Sequence, residues 1–137
     1  MNGNDAFSSE FGERIHLNVT SYNGFVLLTG EVPDQGTWAS VGNVAKTTEK
    51  VRGVHNEMVI GPNSDLSARS NDTYITSKVK TRMIEANKFP PNVVKVVTER
   101  GVVYLMGLVS RAEGDAAARL AAQTSGVVRV VRLFEYM

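Results

Sequence analysis

The chain has 137 residues, a formal net charge of +1, no cysteine, and 42% hydrophobic against 7% aromatic residues. That is enough for one compact domain or two very small ones, and it excludes a disulfide framework, a thiol nucleophile and a thiolate metal site. No apolar run approaches the roughly 18 residues of a spanning helix, and the near-zero charge speaks against a protein built to wrap nucleic acid, where phosphate neutralisation demands a cationic excess.

The chain repeats itself. Val19-Thr20-Ser21-Tyr22-Asn23-Gly24-Phe25-Val26-Leu27-Leu28-Thr29-Gly30 aligns without gaps on Val96-Val97-Thr98-Glu99-Arg100-Gly101-Val102-Val103-Tyr104-Leu105-Met106-Gly107, and Val51-Arg52-Gly53-Val54 then matches Thr124-Ser125-Gly126-Val127. A repeat of this length predicts two tandem modules. The first takes residues 1–61, and the second residues 71–137. Residues 62–70, rich in Pro, Ser and Asn and without helical or strand period, read as a linker.

In the first module the expected elements are a strand over 15–22, a turn at Asn23-Gly24, and a strand over 25–32. A helix carrying Trp38, Val41, Val44, Ala45 and Val51 follows, then a strand over 54–60. Only Asp5 to Glu13 precede these, and Gly12 weakens any helix there, so the opening helix of this module is expected to be truncated. Met1 to Asp5 carry no export pattern, and the natural protein is expected to extend upstream.

The second module is complete. Ser70-Asn71-Asp72 offers N-cap oxygens for a helix over 73–86, which Pro90-Pro91 ends. Strands over 93–98 and 102–109 meet at Arg100-Gly101. Ser110-Arg111-Ala112-Glu113 forms a capping box, and the helix after it runs to Thr124 with Ala117, Leu120, Ala121 and Thr124 on one face. A strand over 127–136 closes the module. The order αββαβ predicts an α+β fold, each module a three-stranded mixed sheet with two helices on one face.

Residues placed 100° apart put Ile75, Val79, Met83 and Ala86 on one side of the helix over 73–86, toward the sheet. Tyr74, Ser77, Thr81 and Ile84 lie opposite, where a solvated helix would carry charge, with Lys78 and Lys80 bordering the strip and Arg82 nearer the core boundary. Two large apolar groups between lysines suit an anionic membrane surface. Packing of this face against another part of the chain is the competing reading.

Catalytic readings find little support. His16 and His55 sit in expected strands without metal-ligand spacing. Glu31, Asp34, Glu113 and Asp115 lie near strand ends or helix starts, where capping is the default role. Gly24, Gly30, Gly101 and Gly107 lack a phosphate-loop spacing and read as turn glycines. The triplets at Asn18 and Asn71 match a glycosylation pattern too short to carry weight. Trp38 reads as core, and Arg129 and Arg132 as water-facing residues of an amphipathic strand.

Asn18-Val19-Thr20-Ser21-Tyr22, Val26-Leu27-Leu28-Thr29-Gly30, the run from Ser70 to Val79, and Val103-Tyr104-Leu105-Met106-Gly107-Leu108-Val109 resemble the BON domain. The resemblance covers nearly all of residues 14–137, and the chain is similar to dual-BON proteins of the outer-membrane lipoprotein type. It implies a periplasmic protein tethered to the outer membrane by an acylated cysteine, and with the catalytic readings unsupported no enzymatic activity, cofactor or metal is expected. It further implies binding of anionic phospholipid in support of envelope integrity, with lipid contacts matching Tyr74, Lys78, Val79, Lys80 and Ile84. With no cysteine in the chain, that anchor is expected upstream or absent, as in soluble BON proteins induced by osmotic stress. The alternative is an envelope adaptor or chaperone-like protein that meets outer-membrane assembly proteins through an open sheet face or edge strand. A sugar-binding or enzyme-accessory role rests only on the generic fold. No nucleic-acid partner is expected, whereas exposure of Leu17 and Leu27 beneath a short first helix would favour self-association.

Overall fold

The computed structural model describes residues 15–137. The described residues divide into two compact units that meet in sequence between Asp65 and Leu66, each with its own sheet. In the first unit β1 (His16–Tyr22) and β2 (Phe25–Val32) form an antiparallel hairpin. After α1 (Gln35–Lys46), β3 (Gly53–Asn56) and β4 (Val59–Ile60) pair parallel to β2. The second unit opens with α2 (Leu66–Ala86) and a 3₁₀ turn (Pro91–Val93), then makes the hairpin of β5 (Lys95–Glu99) and β6 (Val102–Val109). After α3 (Arg111–Ala122), β7 (Arg129–Tyr136) pairs parallel to β6. This is the expected α+β fold with mixed sheets, since a parallel return needs a crossover and a helix supplies it. The short opening helix expected for the first module lies outside the described residues.

Both hairpins turn on two residues in the left-handed region, Asn23 (φ +52°) with Gly24 (φ +83°) and Arg100 (φ +54°) with Gly101 (φ +79°). Such turns match the twist of the strands they join. Gly30 and Gly107 differ from the turn role expected of them. They lie inside β2 and β6 at φ +119° and +154°, and a Cβ at Gly30 would run into the carbonyl of His16, one at Gly107 into that of Val93. In both units the segment at the start of the hairpin presses onto the central strand at the same repeat position, which only glycine permits.

Asp34 caps α1, its side chain accepting from the Thr37 N–H at 2.7 Å. Ser110 and Glu113 complete the capping box of α3 at 3.1 and 2.9 Å. Val51, expected on α1, lies beyond its end: the helix stops at Lys46 with Thr47 as its C-cap, and Lys50 turns the chain at φ +71°. The expected last strand of this unit is interrupted at Glu57-Met58. Met58 gives its carbonyl to the Trp38 indole N–H at 3.0 Å and its N–H to Asn56 Oδ1 at 3.4 Å, so side chains take the place of ladder partners at Met58, while the Glu57 N–H still donates to the Leu28 carbonyl at 2.9 Å.

The larger departure is α2, which begins at Leu66 rather than near Thr73 and takes in residues 66–70 of the expected linker. Ser70-Asn71-Asp72 is therefore helix interior. The Asp72 carboxylate, 5% exposed, instead accepts from the backbone N–H of Arg100 at 2.8 Å and of Gly101 at 2.9 Å. It fastens the middle of α2 to the β5–β6 turn.

Ile75, Val79 and Met83 of α2 pack with Val96, Val103 and Leu105 of the sheet and with Ala117 and Ala121 of α3. Small residues let α3 lie close to the strands. In the first unit Leu17, Val26 and Leu28 meet Val41 and Ala45 of α1. Leu17 and Leu27, expected to be uncovered, are both buried, which removes the apolar surface from which self-association was anticipated.

Candidate functional site

α2 buries Asp72, Ile75, Val79 and Met83, so its opposite face must meet solvent. Thr76 Oγ1 donates to Thr98 Oγ1 at 2.7 Å and helps fix the rotation of the helix over β5. On the outer side Tyr74 is 62% and Ile84 60% exposed. Ten residues at 1.5 Å rise separate them by about 15 Å along the axis. Ser77, Lys80 and Thr81 are exposed around them, as is Glu85, the acidic residue of this face.

The five residues that the resemblance marks for lipid contact separate into three kinds. Tyr74, Lys80 and Ile84 stand on the outer face. Val79 is 0% exposed and belongs to the core, so a lipid contact by its side chain is corrected to a packing role. Lys78 is half-buried: its Nζ donates to the Ser125 carbonyl at 2.7 Å and lies 4.7 Å from the Tyr74 ring centroid. Arg82 reaches the same region, donating to Gln123 Oε1 at 3.4 Å. Both cations thus sit beyond the carboxyl end of α3, where the helix dipole is negative. Their charge adds to the potential of the face, and Lys78 is engaged by both the Ser125 carbonyl and the Tyr74 ring.

Beside Ile84 the surface opens into a cavity of about 340 Å³ between the last turns of α2 and the chain entering β5. Met83, Ile84, Pro91 and Val94 are its apolar lining residues, of which Met83 and Val94 are buried, and Lys80 and Lys95 are its charged ones. Sequence reasoning missed the contribution of Pro91, Asn92 and Lys95. Pro90-Pro91 signals that the helix ends, yet nothing local says that the next turn folds back beside Ile84.

The remaining candidates are structural. Glu31 lies near the end of β2 as expected, but instead of capping a helix it is buried, where its Oε1 accepts from the Ser64 N–H at 2.6 Å and lies 3.1 Å from His16 Nδ1. His55 stacks on Phe25 with 5.9 Å between ring centroids. Arg132 pairs with Asp115 at 2.6 Å, and the hydrogen bond it donates to that carboxylate raises the guanidinium pKa against the lowering effect of desolvation. Trp38 packs against the core of the first unit, as expected.

Two units, each pairing a central glycine-bearing strand antiparallel to one neighbour and parallel to the other, define a tandem-repeat α+β protein. The chain belongs to the BON domain family, whose sequence profile matches residues 6–62 and 71–137. It is 36% identical over 121 residues to the Outer membrane lipoprotein DolP of Haemophilus influenzae, covering 88% of this chain and 63% of that protein. It is 34% identical over 129 residues to the 21 kDa hemolysin of Actinobacillus pleuropneumoniae, covering 94% of this chain and 66% of the relative. With the Osmotically-inducible protein Y of Escherichia coli it shares 32% identity over 117 residues, 83% of this chain and 58% of the relative. The chain therefore spans about 58 to 66% of the length of these relatives. Among the described residues no helix is long and apolar enough to cross a membrane.

Proposed function

We propose that this chain is a non-enzymatic, envelope-associated protein that docks on anionic phospholipid through the outer face of α2, in support of envelope integrity. The observation that carries the reading is the joint exposure of Tyr74 and Ile84 on a helix whose other side is core, with Lys80 beside Ile84. Tyr74 and Ile84 enter the interfacial region, while Lys80 meets head-group phosphate at about 1 kcal/mol for each lysine near such a surface. Lys78 adds charge from its position over Tyr74.

The likeness to a DolP outer membrane lipoprotein and to an osmotically inducible protein supports placement in the periplasm at the outer membrane. A lipid anchor in the natural protein belongs to the same reading. The test is cosedimentation with phosphatidylglycerol-containing and with purely phosphatidylcholine vesicles. Binding to the former alone, lost in Tyr74→Glu and Ile84→Glu, is the expected result. Equal binding to both vesicles, or sedimentation unaffected by both substitutions, overturns the site and leaves the adaptor reading in its place.

A further inference from the structure

The outer face of α2 explains contact with a surface, but it does not explain the cavity beside it. That cavity, about 340 Å³, falls at the small end of the range typical of ligand pockets. Met83 is 1% and Val94 6% exposed, so the interior is apolar and already part of the core. Pro91 and Ile84 add apolar walls. Lys80 and Lys95 are its charged lining residues, both exposed, and no carboxylate lines it. An apolar interior flanked by two ammonium groups is complementary to one kind of molecule, an amphiphile with a hydrocarbon chain and an anionic head.

We propose that this cavity takes one acyl chain of an anionic phospholipid, with Lys80 pairing the phosphate and Lys95 adding positive charge beside it. The choice of ligand class rests on the lipid-docking reading of α2, whereas the cavity itself is separate from the Tyr74 end of that helix. The site makes a different demand from surface docking. It predicts capture of a single lipid molecule in the absence of any bilayer, and contact between acyl protons and buried side chains that a surface-bound helix would not give.

The probe is dihexanoyl phosphatidylglycerol below its micelle concentration, titrated into the full chain and followed by NMR, with dihexanoyl phosphatidylcholine as the zwitterionic control. Saturable shifts at Asn92, Val94 and Lys95, and nuclear Overhauser contacts from acyl protons to the Met83 and Val94 methyls, are expected. The phosphatidylcholine control should bind at least tenfold more weakly. Asn92→Trp adds a ring at an exposed lining position and should abolish those contacts; Ile84→Ser, also at an exposed position, should weaken binding severalfold.

Absence of acyl contacts to Met83 and Val94 overturns the proposal, as does equal binding of the control lipid. If phosphatidylglycerol vesicles still sediment the protein in that case, docking by the outer face stands alone. Conversely, single-lipid capture by a chain that ignores such vesicles sustains the pocket and removes surface docking.

Discussion

Lys78 Nζ donates to the carbonyl of Ser125 at 2.7 Å, which ties α2 to the end of α3. A lysine that the helical wheel places at the edge of the outward strip therefore also closes the second unit. The two lysines of this face consequently have separable effects.

Replacing Lys78 by Met keeps the aliphatic stem and removes the cation beyond the end of α3, at an expected loss of about 0.5 to 1 kcal/mol of stability. Lys80→Met should leave stability within about 0.5 kcal/mol, as for other surface changes, and lower the affinity for anionic vesicles severalfold. Chemical denaturation and vesicle sedimentation on the same pair of variants check this. An unstable Lys80→Met, or a Lys78→Met indistinguishable from the parent chain in denaturation, would reverse the assignment.

Asp72→Ala leaves the N–H groups of Arg100 and Gly101 without their carboxylate partner. The expected cost is about 3 kcal/mol, from two hydrogen bonds to a charged acceptor and a buried donor left unpaired. The carboxylate also helps hold Arg100 in a left-handed conformation that side chains other than glycine adopt at a penalty. Urea unfolding of the variant measures the loss, and Asp72→Asn, which retains one acceptor oxygen, should recover part of it.

Gly107→Ala forces a Cβ against the Val93 carbonyl at a backbone angle unsuited to side chains. Destabilisation of about 3 kcal/mol or more is expected, and Gly30→Ala should behave alike in the first unit. Thermal unfolding would show it. A pair of alanine variants that melt like the parent would mean that the central strands do not need this close approach.

Val79→Ala should cost about 2 kcal/mol by opening a gap in the core of the second unit. Any loss of vesicle binding should follow loss of folded protein. Circular dichroism and sedimentation at a temperature where the variant remains folded distinguish that outcome from a direct lipid contact.

Asp115→Asn should change stability by less than about 0.5 kcal/mol, because the Arg132–Asp115 pair is exposed and exposed ion pairs are screened. Denaturation at low and high salt checks it, with convergence of the two proteins expected at high salt.

The elements legible in the sequence are those whose signals are local. β6 begins just after Gly101 and ends before Ser110, so a turn glycine and an N-cap bracket a run of β-branched and apolar residues. The capping box at Ser110 and Glu113 needs only its own four residues. The start of α2 was obscured because Ser70-Asn71-Asp72 has the chemistry of a cap, whereas Asp72 is claimed by a turn 28 residues later. The break at Met58 depends on Trp38, 20 residues earlier. The outward placement of Tyr74 and Ile84 followed from helical period alone. The attachment of Lys78 to Ser125, and of Pro91 to the cavity wall, required the chain to return from a distance.

The packed inner side of α2 gives its outer side a fixed shape before anything approaches. Free amphipathic peptides must coil as they settle on a bilayer and lose conformational freedom in doing so. Here Ile75, Val79 and Met83 have already imposed that order, so under the proposed docking the helix would act as a rigid stamp. With only three bulky groups exposed along it, Leu66, Tyr74 and Ile84, docking of the kind proposed would be shallow, and tenacity would grow with the number of copies acting together.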